Sequence, residues 1–462
     1  MIQKRLQSRD TNPTAPVEPG FRVEANPLGK VHERAHWQAT FRVQPFFVKY
    51  EEQRSFLRGP RSIFATRVLR PVGLAIVLLL ASGCADGGGE ELGSRPRLGP
   101  EEIVRGPQLA LATETSMVVA WSSDAMVVGS VEYGETAGYG QEVALAAPAL
   151  DHVVTLTGLT PGTLYHYGLK HDDLAIGGDH QFDTIPADPL APLRFVVLGD
   201  AGSGLAPQYD VADQIGLSMP DLVLITGDVV YESGAPSELD PRYFTPYQFL
   251  IDRIPFVATL GNHDVRTDNG RPLLDALYLP TNSQDFSERF YSFDRGDSHF
   301  IALNTNDPLR PGSPQYDWLE ADLAGTSATW IFLFFHHPPY SSSRHGGQPS
   351  IRSDLVPLFD QYAVDLVFSG HDHDYERTFP LAGGVVVDSD PANYLDPPGT
   401  LYIVTGGGGR ALYKSRLGAF TAFSESAYHM VQVDVNDLRL TLTAIDESGA
   451  ELDRMVLTKS VR

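Results

Sequence analysis

An α/β protein with its chemistry at strand tips, preceded by an all-β domain, is the fold class predicted here, and three observations predict it. Apolar runs from Leu193 to Leu198, Leu222 to Thr226 and Phe256 to Leu260 each end in a glycine followed by a polar residue able to bind a ligand. Helical candidates, Pro207 to Ser218 and Thr245 to Asp252, lie between those runs, which gives the strand, loop, helix repetition of an α/β sheet. Upstream, from about Arg97 to Thr184, short strands are separated by turn residues: Ser116 to Ser122, Val127 to Tyr133, His152 to Leu156 and Thr163 to Lys170. Alternation with Gly and Pro punctuation at this spacing predicts an antiparallel sandwich.

The chain of 462 residues is too long for one ordinary core and suits two or three domains. A hydrophobic fraction of 42% with 43 Gly and 34 Pro describes a globular, loop-rich protein. The net charge is −23, yet the first 83 residues carry 13 Lys/Arg against 6 Asp/Glu, so the remainder from Cys84 carries −30. Such a body repels a phosphate backbone, and no basic stripe follows the N-terminal region, so no nucleic-acid partner is expected.

The single cysteine, Cys84, rules out an intrachain disulfide. Its surroundings matter more. Arg58, Arg61, Arg67 and Arg70 precede an apolar run from Val72 to Leu80, and Ala81, Ser82 and Gly83 lead into Cys84. The run is about half of the roughly 20 residues that a spanning helix needs. The pattern resembles a bacterial lipoprotein signal over residues 58–84, with Cys84 becoming a lipidated N-terminus. Residues 85–99 read as a Gly/acidic flexible linker. Residues 1–57 show no sustained period and are expected to be disordered, or to lie upstream of the true translation start.

Five blocks carry the chemistry. Gly199-Asp200-Ala201-Gly202 follows FVVL, Gly227-Asp228-Val229-Val230-Tyr231 follows VLIT, and Gly261-Asn262-His263-Asp264 follows VATL. The apolar strand Trp330 to Phe335 runs into His336-His337-Pro338, and Asp365 to Ser369 runs into Gly370-His371-Asp372-His373. A lone Gly-Asp after a strand is ordinarily a turn. A His-x-His pair on an extended segment would put both rings on one side. Independent turns are not expected to present Asp, Asp plus Tyr, Asn plus His, His, and His plus His at successive strand ends.

Together the blocks resemble the calcineurin-like metallophosphoesterases, whose motifs are GD, GDxx, GNHD or GNHE, a strand-terminal His, and GHxH. Within that superfamily the GDxG form, with Gly202, and the GDxxY form, with Tyr231, resemble the purple acid phosphatases. FYSFDRGDSHFIALNT, SPQYDWLEADL and LYIVTGGGG agree, and the resemblance covers roughly Leu193 to Tyr413. It implies a metallophosphoesterase β-sandwich of two mixed sheets flanked by helices over residues 193–462. HVVTLTGLTPGTLYHYGLK, closing with FDT, resembles a fibronectin type III module, which large purple acid phosphatases carry before the catalytic domain. Residues 100–187 are assigned to it.

Carried over residue by residue, the resemblance implies a first metal held by Asp200, Asp228, Tyr231 and His373. Asp228 bridges to a second metal that takes Asn262, His336 and His371. The first is expected to be Fe(III), suited to carboxylate and phenolate oxygens, and the second Fe(II), Zn(II) or Mn(II). His263 and His345 are the expected catalytic residues, contacting the phosphoryl oxygens and protonating the leaving group, with Asp264 orienting His263. His337 stands where an aromatic residue is common. Metal-bound hydroxide would attack in line, with inversion at phosphorus. The expected protein is an acid phosphatase acting on small phosphate monoesters, exported and held to the bacterial envelope by the lipid on Cys84. The alternatives are a phosphodiesterase or nucleotide pyrophosphatase on the same site, and a non-catalytic surface-binding protein. No oligomeric state follows from the sequence.

Overall fold

The computed structural model describes residues 103–283 and 287–460. The expectations for residues 1–57, the signal at 58–84 and the linker at 85–99 lie outside the described residues. Residues 103–183 form two antiparallel sheets. One has three strands in the order Ile103–Ala110, Ser116–Val127, Ala149–Thr157. The other has four, in the order Gln141–Ala144, Gly129–Gly134, Leu164–His171, Leu174–Asp183. Met117, Val119 and Trp121 enter the core between the sheets at every second position, where Val131, Tyr133, Val154, Leu156 and Tyr167 meet them. The first strand escapes a pattern reading because Gly106 and Pro107 interrupt its alternation, and the pairing register shifts there.

This sandwich is fastened to the residues that follow. The Tyr167 hydroxyl donates to the Asp252 carbonyl at 2.6 Å, and Gln108 Nε2 donates to the Ala276 carbonyl at 2.6 Å. Arg105 bonds Asp240 at 2.7 Å and lies over the Phe244 ring.

From Leu193 onward two seven-stranded sheets face each other. The first runs Phe256–Ala258, Leu222–Ile225, Leu193–Leu198, His429–Asn436, Arg439–Asp446, Glu451–Thr458, Asn393–Leu395. Its first three strands are parallel, and Leu193–Leu198 then pairs antiparallel with His429–Asn436. The second runs Tyr291–Arg295, Ser298–Ala302, Trp330–Phe334, Leu366–Ser369, Leu401–Thr405, Tyr375–Thr378, Thr421–Glu425, with four parallel strands from Ser298 to Thr405. Phe195 of one sheet meets Phe300 and Phe332 of the other at ring distances of 5.1 and 5.2 Å. Burying one such ring is worth about 1.5–3 kcal/mol, so this aromatic seam is a principal tie between the sheets.

Helices cover the outer faces. Ala206–Ser218 and Thr245–Ile251 bury Val211, Ala212, Ile215, Tyr247 and Leu250 in the same core as the first sheet. Pro314–Gly325 and Pro349–Gln361 bury Leu319, Leu323, Leu355 and Phe359 with Ile301, Leu333 and Val367 of the second. Central strands are therefore covered on both sides, which is why they are continuous apolar runs rather than alternating ones. The expected fold class, two mixed sheets flanked by helices, is the observed one.

Candidate metal centre

Each block emerges from the carboxyl end of a strand, and three of the proposed ligands turn there with left-handed backbone: Asp200 at φ 56°, Asp228 at φ 48° and His371 at φ 70°. Non-glycine residues adopt that region at a cost, and they do so at sites that tertiary structure over-determines. The glycines allow close approach. A Cβ on Gly202 would overlap the Val229 carbonyl, and the Gly202 carbonyl accepts the Tyr231 amide at 3.0 Å. The GDxG and GDxxY blocks are thus one packed unit.

The side chains converge in two groups. In the first, the Tyr231 hydroxyl donates to Asp200 Oδ1 at 2.8 Å, His373 Nε2 is 3.4 Å from that oxygen, and the hydroxyl is 3.3 Å from His373 Nε2. In the second, His336 Nε2 is 3.0 Å from Asn262 Oδ1, 3.3 Å from His371 Nδ1 and 3.5 Å from Asp228 Oδ2. Donors bound cis to one ion at about 2.1 Å stand about 3.0 Å apart, so both groups have the spacing of a metal's ligand shell. Asp200, Asp228 and His336 also offer donor atoms within 4.8 Å of one another, which joins the two groups. His336 and His373 give Nδ1–H to the carbonyls of Thr226 at 3.0 Å and Ala411 at 2.8 Å, which leaves each Nε2 lone pair facing inward.

Electrostatics fit a cation as well. Burial and the neighbouring Asp200 and Asp264 push the Asp228 carboxyl well above its ordinary range. Burial pushes Asp200 up too, but the imidazoles of His336, His373 and His371 outweigh it and hold that carboxyl low. Burial, with Asp200 and Asp228 beside it, drives the Tyr231 phenol far above 10. Burial lowers His336 well below 6.5 and His371 to about 4, which keeps both rings neutral. A nearby cation would favour the ionised forms of Asp228 and Tyr231, which burial and neighbouring carboxylates otherwise oppose. The residues fit a binuclear centre.

The expected catalytic histidines flank this cluster. His263 has its ring 4.4 Å from that of Tyr231 and Nε2 4.0 Å from Asp228 Oδ2. His345 lies on the other side, its ring 4.4 Å from that of His371 and Nε2 3.4 Å from the Tyr413 hydroxyl.

Two expectations need correction. Asp264 does not orient the His263 ring, whose Nδ1 bonds the Glu232 carbonyl at 2.7 Å while Arg266 donates to Nε2 at 3.1 Å. Asp264 is fully buried and accepts the amides of Val229, Val230 and Gly261 at 3.1, 3.0 and 2.8 Å. It clamps the Asp228 loop to the Asn262 loop, and Asp228 Oδ1 in turn accepts the His263 amide at 2.8 Å. The second correction concerns His371 and His373, which are not on an extended segment. The left-handed turn at His371 sends one ring to the second group and the other to the first, and the strand begins only at Tyr375.

Residues that sequence reasoning passed over complete the site. Asp372 accepts the His345 and Gly346 amides at 2.8 and 3.1 Å and the Ser341 hydroxyl at 2.6 Å, tying the His345 loop to the metal-ligand loop. Its place between His371 and His373 is the available signal. Tyr413 stacks on His373 at 4.1 Å, and Arg410 lies over Tyr231 at 4.7 Å while bonding Glu232 at 2.6 Å. No motif marks these two in advance.

Residues 193–375 match the calcineurin-like phosphoesterase family model. The chain is 28% identical over 425 residues to an uncharacterized protein of Mycobacterium tuberculosis (strain H37Rv), covering 76% of this chain and 79% of that one. It is 30% identical over 297 residues to purple acid phosphatase 15 of Arabidopsis thaliana, covering 56% of this chain and 53% of the plant protein. Among solved structures, the purple acid phosphatase PPD1 from yellow lupin seeds superposes with a TM-score of 0.70 at 24% identity, covering 77% of this chain and 74% of that one.

Proposed function

We propose that this chain, a calcineurin-like metallophosphoesterase homologous to the purple acid phosphatases, hydrolyses small phosphate monoesters at a binuclear metal centre. Phosphoester hydrolysis is the activity of the family, and the binuclear centre and the monoester preference are the parts proposed. One observation supports them most: seven side chains from five strand ends meet as two ligand-spaced groups joined by Asp228.

Asp200, Tyr231 and His373 would hold the first cation, Asn262, His336 and His371 the second, with Asp228 between them. Two cations so held supply acidified water and charge neutralisation at the phosphoryl oxygens. Fe(III) suits the phenolate and carboxylates of the first position, and Fe(II), Zn(II) or Mn(II) the more nitrogen-rich second. The rest falls to the protein's own residues. His263 and His345 flank the cluster and would contact the phosphoryl oxygens and the leaving group. With Nδ1–H committed to the Glu232 carbonyl, Nε2 is the His263 atom that would meet the substrate, in place of or together with its present donor Arg266. Asp264 and Asp372 hold the two histidine loops at fixed separations from the centre.

A complete ligand set supports an enzyme over a surface-binding protein whose site has decayed. The proposal extends to location: an envelope enzyme anchored through Cys84, with the 103–183 sandwich serving as the fibronectin type III-like module before the catalytic domain. Its support is the Arg-rich, apolar, small-residue run ending at Cys84. The test is a substrate panel on the full chain, comparing p-nitrophenyl phosphate, bis(p-nitrophenyl) phosphate and a nucleoside diphosphate between pH 5 and 8. The monoester is expected to be turned over fastest at the acidic end. A preference for the diester or the nucleotide would replace the phosphatase reading with a phosphodiesterase or pyrophosphatase.

A further inference from the structure

We propose that His337 supplies a third imidazole to the second metal position, beyond Asn262, His336 and His371, and biases that position toward nitrogen-preferring divalent cations such as Zn(II). The proposal rests on the binuclear reading above. His336, His337 and His371 offer donor nitrogens that all lie within 4.8 Å of one another. Two nitrogens on one octahedral ion stand about 3.0 Å apart when cis and about 4.2 Å when trans, and both separations fall inside that limit. The His337 ring lies 4.9 Å from that of His336 and 4.5 Å from that of His371.

Thr305 decides which nitrogen is free. Its Oγ1 accepts the His337 backbone amide at 3.1 Å and lies 2.7 Å from His337 Nδ1. A hydroxyl oxygen has two lone pairs and one proton: the amide fills one lone pair, and Oγ1 can either accept Nδ1–H or donate to Nδ1. When Oγ1 accepts Nδ1–H, the lone pair falls on Nε2, the nitrogen that Thr305 does not engage, and a cation bound there would hold that tautomer. In His336 and His373 the carbonyls of Thr226 and Ala411, which can only accept, fix that same tautomer. Three imidazoles with one amide oxygen and one carboxylate make a softer donor set than two, which favours Zn(II) or Co(II) over Mn(II).

The experiment loads metal-stripped full-length protein with Zn(II), Co(II) or Mn(II), and measures affinity by chelator competition together with the Co(II) ligand-field spectrum. His337→Ala is expected to weaken one of two Zn(II) equivalents by tenfold or more, to alter the Co(II) bands, and to move Mn(II) affinity less. Thr305→Val should act in the same direction with a smaller loss, since it removes the partner that orients the ring and keeps the imidazole itself. His337→Gln serves as the comparison should the alanine variant fail to fold. Unchanged Zn(II) affinity and Co(II) bands in the His337 variant would overturn the proposal, and weakened inorganic phosphate binding alone would assign His337 to the substrate instead. Equal losses for Zn(II) and Mn(II) would refute the bias. Fewer than two equivalents on the unmodified protein would fail the binuclear reading itself, an outcome distinct from these.

Discussion

The Tyr231 hydroxyl lies 2.8 Å from Asp200 Oδ1, although the two residues are separated by 31 positions and leave different strands. Burial and two carboxylates keep that phenol protonated in the absence of a cation, so a phenolate here requires a strongly charged ion beside it. With the proposed Fe(III) at the first position, Tyr231→Phe is therefore expected to give a folded protein that binds iron but lacks the phenolate-to-iron charge-transfer absorption expected of the unmodified chain. Absorption spectra of the two iron-loaded proteins test this. An unchanged band would remove Tyr231 from the first position.

Removal of Asp264 should damage structure rather than proton transfer. Its carboxylate satisfies three buried amides, and Asp264→Ala leaves all three without an acceptor. Each buried unsatisfied group costs about 1–3 kcal/mol, so a loss of several kcal/mol is expected together with weaker metal retention. Asp264→Asn, which keeps one oxygen, should lose less. Thermal unfolding and bound-metal content measure both effects, and normal stability with a shifted pH–rate profile would return Asp264 to the expected role of orienting His263.

His263→Ala and His345→Ala are expected to lower turnover by about 10²- to 10⁴-fold with both metals still bound. Asp372→Ala should reproduce part of the His345 loss, because Asp372 holds the His345 and Gly346 amides. Metal analysis beside kinetics distinguishes these outcomes, and metal loss in either histidine variant would make that residue structural.

A pH effect on stability should come from His299. Burial pushes its imidazole down, but carboxylates of Asp294 at 2.6 Å and Asp322 at 2.9 Å outweigh burial and raise it to about 9. A raised folded-state value means that the contribution is complete below about 6.5, the ordinary unfolded value, and is lost as pH rises through about 9. Asp294 is largely exposed, so the effect is discounted to roughly 1–3 kcal/mol. Unfolding midpoints of the parent and His299→Gln between pH 6 and 10 should differ most at pH 6 and converge above pH 9. A gap that widens with pH would contradict this sign.

Much of the catalytic fold could be read from the chain because its parallel strands are buried on both faces and appear as uninterrupted apolar runs. Leu193–Leu198 was bounded correctly for that reason. His429–Asn436, Arg439–Asp446 and Glu451–Thr458 escaped, being half-polar hairpin strands with no ligand at their ends. At the site, a metal ligand announces itself by residue type at a strand tip. A carboxylate that serves backbone amides does not: the sequence neighbour of Asp264 is His263, while two of its three bonding partners lie in the Asp228 loop. Likewise the left-handed turn at His371 could not be inferred, since neither the His nor its neighbours are residues that require it.

The central claim is that two metal positions act together in hydrolysis. Its most direct test is a titration of the metal-stripped chain with Zn(II) or Fe(III)/Zn(II), following p-nitrophenyl phosphate hydrolysis at each addition. Activity should stay near background through the first equivalent and rise with the second, reaching its plateau at two per chain. Full activity at one equivalent, or none after two, would contradict the binuclear phosphoesterase proposed here.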